Sequence, residues 1–170
     1  MAHELSKTGG NDKHTPVMKR SILLFLLVSF IPTLTGTYAQ DYPAGANVIF
    51  FSAGKLQDAE LFDRVKQILS NEGYTTRDED RENLQITAIP GNRVNMTDEV
   101  KVKLIFNISG YSVAIRTFIR DATGTGNWTR VVDAGGKDSI QKEIWTHSYD
   151  FAKKLRERLG GDITTRSEPL

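Results

Sequence analysis

The stretch EVKVKLIFNISGYSVAIRTFIRD, residues 99–121, constrains the fold more than any other part of the chain. Val100, Val102, Leu104, Phe106 and Ile108 alternate with Lys101, Lys103, Ile105 and Asn107. Val113, Ile115 and Ile119 keep the same beat after Gly110, with Thr117 in phase. Successive side chains of a strand point to opposite faces of a sheet, so this period marks half-buried strands. A two-residue turn at Ser109-Gly110 would set Phe106 against Val113, Leu104 against Ile115 and Val100 against Ile119. A slip by one residue would turn every apolar side chain to the other face. One register that satisfies both strands therefore predicts a β-hairpin.

The second face of that hairpin carries Lys101, Lys103, Arg116 and Arg120 among Ile105, Ala114 and Phe118. The same register sets Lys103 opposite Arg116, a like-charge pair, and Glu99 opposite Arg120. Such a face is either simply solvated or a surface for an acidic or aromatic partner. Basic and aromatic groups on a sheet also describe single-stranded nucleic-acid platforms. A lone Phe and a near-neutral balance of charge argue against that use.

Elsewhere the pattern is shorter. NVIFFS, residues 47–52, reads as a strand. In the following segment Leu61, Phe62, Val65, Ile68 and Leu69 recur at helical spacing, with Asp58 as expected N-cap and Gly73 as expected stop. The charged run RDEDRE, residues 77–82, reads as a loop or hairpin tip. Its Asp78 and Asp80 fail the calcium-loop pattern, and Arg77 and Arg81 neutralise them. LQITAI, residues 84–89, alternates as a strand and ends at Pro90-Gly91. A glycine-rich connection follows the hairpin, with a possible strand at Trp128 to Val132. Its Gly124-x-Gly126 lacks the rest of a dinucleotide fingerprint. A long helix is expected from Asp138 to Leu159, with Asp138 and Gln141 as a capping box and an apolar stripe of Ile140, Ile144, Phe151, Leu155 and Leu159. Residues 161–170 read as a disordered tail.

Upstream, Lys19-Arg20 precede an apolar run from Ser21 to Ile31, broken only by Ser29 and closed by Pro32. A membrane-spanning helix needs roughly 20 apolar residues, about twice this run. Thr37 and Ala39 supply small residues at the −3 and −1 positions of a signal-peptidase site. Residues 18–39 are thus expected to be a signal peptide cleaved after Ala39, with export to the periplasm or beyond and no anchor left behind. Met18 is the natural start of that signal, which makes residues 1–17 a polar leader or the product of a mis-set start. One domain, residues 46–160, remains. Residues 1–39 hold four of the 22 basic and two of the 21 acidic residues, leaving 18 against 19. That balance gives no global pull towards nucleic acid.

The chain has no cysteine, which removes disulfides, thiolate catalysis and cysteine-based metal sites. His147 is the only histidine after residue 39, so no zinc pattern exists. Ser148 and Asp150 follow it on one helix and cannot converge with it as nucleophile and orienting acid. No catalytic residue, metal or cofactor is expected. Three N-x-[ST] sequons, at Asn95, Asn107 and Asn127, read as chance occurrences.

These elements add up to an α+β fold. The expected form is a two-layer sandwich, an antiparallel sheet of four or five strands with two helices on one face, in the order β-α-β-β-β-(β)-α. A first helix ending in NEGY, the strand LQITAI, the hairpin VKLIFNISGYSVAIRTF and a terminal helix behind a signal peptide give the chain a layout. In that layout it resembles small exported bacterial domains, of the Bacteroidetes type, with a TATA-binding-protein-like or helix-grip sheet. The resemblance implies no functional residues. Two functions remain open. One is a non-catalytic module that binds an envelope or secreted protein through Lys101, Lys103, Ile105, Arg116, Phe118 and Arg120. The other is a small-ligand binder with a pocket between sheet and long helix near Trp145, His147 and Tyr149.

Overall fold

The computed structural model of the chain describes residues 45–92, 94, 98–133 and 139–169. The chain divides into two units, Met1–Ala39 and Gln40–Leu170, and every described residue belongs to the second. The expected leader and signal peptide lie outside the described residues. The elements run β1 (Val48–Ser52), α1 (Asp58–Asn71), β2 (Tyr74–Asp80), β3 (Gln85–Pro90), β4 (Val100–Ser109), β5 (Ser112–Asp121), β6 (Thr129–Arg130), α2 (Ile140–Leu159) and β7 (Asp162–Arg166). The fold class is α+β; the described residues form two helices and one antiparallel sheet of seven strands, more than the four or five expected. The strand order is β2-β3-β4-β5-β1-β7, and β6 pairs with β5. The long β5 is shared along one edge: Ser112–Ile115 pair with β1, and Phe118–Ile119 pair with β6.

The hairpin is present, but its turn is Gly110-Tyr111 and its register pairs Ser109 with Ser112. Gly110 has a φ of +57°, and Tyr111 is not in the left-handed region. Glycine in the first central position is the pattern of a type II′ turn, whose twist suits two antiparallel strands. The expected turn would instead have required positive φ at Ser109. The correction moves each partner by two residues, so the faces survive while the pairs change. Phe106 meets Ile115, Leu104 meets Thr117 and Val102 meets Ile119. On the second face Lys103 lies opposite Phe118 and Ile105 opposite Arg116. The like-charge pair is Lys101 with Arg120, which displaces the expected Glu99–Arg120 pairing.

The core lies against the first face. Ile49, Phe51, Ile86, Leu104, Phe106, Val113 and Ile115 join Leu61, Phe62, Val65 and Leu69 of α1 and Ile144, Trp145, Phe151 and Leu155 of α2 in one buried cluster. Thr117, the polar member of the alternating row, is 1% exposed. Its hydroxyl lies 2.7 Å from that of Ser148, which donates to the Ile144 carbonyl at 2.8 Å. The single Ser148 proton is thereby used, so Thr117 donates, and both buried hydroxyls are satisfied.

Three local expectations change. Asp58 does not cap α1. Its carboxylate accepts from the Gly110 amide at 2.9 Å and its own amide donates to the Gly110 carbonyl at 3.0 Å, pinning the helix start to the hairpin turn. The cap of α2 is Ser139, whose hydroxyl accepts from the Lys142 amide, whereas Asp138 lies outside the described residues. Only the end of the charged run is the expected hairpin tip, with Arg81 and Glu82 in the turn to β3; Arg77 to Asp80 belong to β2, an edge strand whose charges discourage pairing with another chain. Glu79 pairs with Lys66, Arg81 pairs with Asp63, and Asp80 accepts from Asn83.

The expected tail is built into the sheet. Asp162–Arg166 pair with the free edge of β1, from Ser52↔Asp162 to Val48↔Arg166. Beyond β7, Glu168 exchanges two hydrogen bonds with the Asn47 amide, at 2.8 and 2.9 Å. The Ser167 hydroxyl donates to the Gly45 carbonyl.

Tyr74 sits where β2 meets α2. Burial, with Glu72 and Asp150 nearby, pushes its phenol up from 10.0 to about 12. The unfolded chain releases this proton first, at the ordinary phenol value. Stability from this group is therefore full below pH 10 and falls as pH rises towards 12, by up to about 2.5 kcal/mol. Urea unfolding at stepped alkaline pH should show this slope in the native chain and a shallower one in Tyr74→Phe. Equal slopes would mean that the phenol is not the titrating group.

Candidate basic-aromatic cleft

The second face of the sheet divides into a closed half and an open half. Its closed half lies at β1 and the start of β5, where Val48 and Ala114 are buried although they point away from the helices. The segment after β7 crosses here. Both Glu168 carboxylate oxygens accept from Arg116, at 3.0 Å from Nε and 2.8 Å from Nη2. Arg130 stands 3.6 Å from the same carboxylate. The Arg116 Nη1 donates to Asn107 Oδ1, and Asn107 donates to Gln85. Two-pronged pairing of guanidinium with carboxylate is the strong form of this interaction, and here it is only partly exposed to screening.

The open half is a cleft of about 920 Å³. Arg77 comes from β2, Thr87 and Ile89 from β3, Lys101 and Lys103 from β4, and Arg120 from β5. Trp128 closes one side and Asp98 stands at the rim as its one lining acid among the described residues. The Trp128 ring is engaged by two cations, Lys103 Nζ and Arg120 Cζ, each 4.4 Å from its centroid. Lys103 also lies 5.3 Å from the Phe118 ring, with Arg130 5.8 Å from that ring. Burial first, and the charge of Arg120 second, hold the Lys103 ammonium below its usual pKa. Arg120 Nε is buried without a hydrogen-bond partner among the described residues.

The glycine-rich connection expected to be a loose tip is the device that places Trp128. The Asp121 carboxylate accepts from the amides of Gly124, Thr125 and Gly126 at 2.7, 3.2 and 2.8 Å, and from the Thr123 hydroxyl. These bonds, the hydroxyl first, hold its pKa below the usual carboxylate range. Gly124 turns at φ +75°, and a Cβ there would lie 2.9 Å from Lys101 Nζ and 3.4 Å from Arg120 Nη2. The absent side chain lets both cations tuck beneath the loop. The signal was legible as D-x-T-G-T-G: an acid followed by small residues whose amides can converge on it.

The six sheet-face residues singled out in the sequence therefore part company. Lys101, Lys103 and Arg120 line the cleft, Arg116 is clasped by Glu168, Phe118 lies under Lys103 and Arg130, and Ile105 sits between Thr87 and Arg116. Arg77, Trp128 and Glu168 are the additions. The other trio does not converge. Trp145 and Tyr149 are buried in the core, and half-buried His147 lines a separate groove of about 520 Å³ with Glu143 and Asp150. Of the sequons, Asn107 is occupied by Gln85 and Arg116, Asn127 is exposed, and Asn95 lies outside the described residues. The chain matches no protein-family model and no curated protein sequence.

Proposed function

We propose that this protein is a non-catalytic exported module that binds another envelope or secreted protein through the open half of its sheet. Residues 18–39 act as a signal peptide removed after Ala39, a reading that rests on the Lys19-Arg20 pair, the short apolar run behind it and the small residues Thr37 and Ala39. The domain is a two-layer sandwich of the TATA-binding-protein-like or helix-grip kind, without cofactor, nucleic acid or anchor. One observation carries the reading. Lys101, Lys103 and Arg120 converge with Trp128 on a face that the helices do not cover, and none of the three cations has an acidic partner among the described residues. Aromatic and arginine groups in a partly dry site are the usual anchors of protein interfaces.

The test is to express the full chain in its native host with an affinity tag after Leu170 and to identify what co-purifies from the envelope and the medium. The product should begin at Gln40 by intact mass. A stoichiometric partner should be retained by the native chain and lost from Lys101→Glu/Lys103→Glu. Arg116 is left intact in this variant because reversing it would break the Glu168 clasp. A partner indifferent to the double change, or none, would overturn the reading.

A further inference from the structure

We infer that the occupant of the cleft is an extended acidic segment of the partner, with Asp or Glu carboxylates seated on Lys101, Lys103 and Arg120. This inference rests on the reading of the sheet face as a binding surface. The first argument is an unmet demand. Arg120 carries a buried Nε–H without an acceptor among the described residues, and a buried donor costs free energy until one arrives. A guanidinium offers its donors in a planar fork that fits a carboxylate.

The second argument is an internal precedent. On the same face, the segment that follows β7 already places the Glu168 carboxylate on Arg116 while Asn47 holds its backbone. The face thus accepts an acidic chain segment in one half, and the other half repeats the basic chemistry with Asp98 as its one lining acid among the described residues. The third argument is size and charge. A volume of about 920 Å³ exceeds what a single small anion fills. Four cations against Asp98 give a positive field that draws acidic chain towards the cleft. An anion between Lys103 and Arg120 would also relieve the repulsion that Lys103 feels from Arg120. Base stacking is the poorer match, because the Trp128 ring is already engaged by both cations at 4.4 Å.

The experiment measures binding of a fluorescein-labelled Glu-Ala octapeptide to the full chain by anisotropy. The Gln-Ala octapeptide, inorganic phosphate and a labelled oligothymidylate provide the other arms. The Glu peptide should bind at least tenfold tighter than the Gln peptide, and more weakly as salt rises. Arg120→Gln should cost about tenfold in affinity. Lys103→Gln gives a second reading if Arg120→Gln fails to fold. Equal binding of both peptides, or an unchanged affinity in the variants, would overturn the inference, as would phosphate or oligothymidylate binding in place of the peptide. A native partner lost from Lys101→Glu/Lys103→Glu while the Glu peptide does not bind would sink the acidic-segment inference alone. Glu-peptide binding with no native partner would sink the protein-partner reading alone.

Discussion

Phe151→Ala is expected to lower the unfolding free energy by about 3–5 kcal/mol. Phe151 is 2% exposed and stands where α2 meets two strands. Its ring meets Tyr74 of β2 edge-on at 5.1 Å and Phe106 of β4 at 5.4 Å. Edge-to-face contacts add to the transfer energy of the ring, and the three side chains fill one region of the core. Alanine would leave a cavity lined by Phe106 and Tyr74 that backbone elements on two sides keep from collapsing. A domain with the usual 5–15 kcal/mol of stability would become marginal. Leu159, only partly buried at the end of α2, provides the contrast: Leu159→Ala should cost less. Urea unfolding followed by circular dichroism measures both. A second readout is local, because water admitted beside Tyr74 should bring its phenol down from about 12 towards 10. A loss under about 1 kcal/mol would mean that α2 does not pack on the sheet in this way.

The elements that bury apolar side chains were legible because burial writes a period into the sequence. The β4–β5 faces, the α1 stripe and most of the α2 stripe follow from it. Register was less legible. Face assignment depends only on odd or even position, so a two-residue error left every face right and every pair wrong. The deciding residue was Gly110, whose place in the turn is a question of backbone twist rather than hydrophobicity. The edge strands were illegible for a different reason. In β7 only Ile163 packs against the core, and β2 is mostly charged, so both are held largely by backbone hydrogen bonds that carry no side-chain signature. The cleft was legible by half. Lys101, Lys103 and Arg120 share a face by strand parity alone. Trp128 reaches them only through the turn that Asp121 organises. Glu168 separates the used half from the free half across 52 residues of chain, a relation that no local pattern encodes.

Gly161→Ala should be nearly as damaging, although it adds one methyl group to a residue with no side chain. Gly161 joins α2 to β7 at a φ of +99°, where an L side chain is strained. A Cβ there would overlap the Ser52 carbonyl oxygen, with its carbon at 2.9 Å and Ala53 Cα at 3.3 Å. Both neighbours are backbone at the end of β1, so no rotamer change relieves the overlap. Strained φ and overpacking together predict a loss of about 3–4 kcal/mol. Gly160→Ala separates the two causes. Gly160 also has positive φ, at +70° with ψ −175°, but open space where its Cβ would lie, so it carries the backbone strain without the overlap and should cost less, about 1–3 kcal/mol. The overlap falls beside the pair Ser52↔Asp162, where β7 begins its pairing with β1. If β7 loosens, the segment that carries Glu168 loosens with it. Arg116 and Arg130 then lose their carboxylate, and the closed half of the face becomes basic and open like the other. Gly161→Ala should accordingly bind the Glu-Ala octapeptide at least as tightly as the native chain under conditions where it remains folded, while Gly160→Ala leaves that affinity unchanged. Equal stability of the two alanine variants would show that β1 and β7 do not approach this closely. Weaker peptide binding in folded Gly161→Ala would show that the clasp does not compete with the cleft for acid but helps to build it.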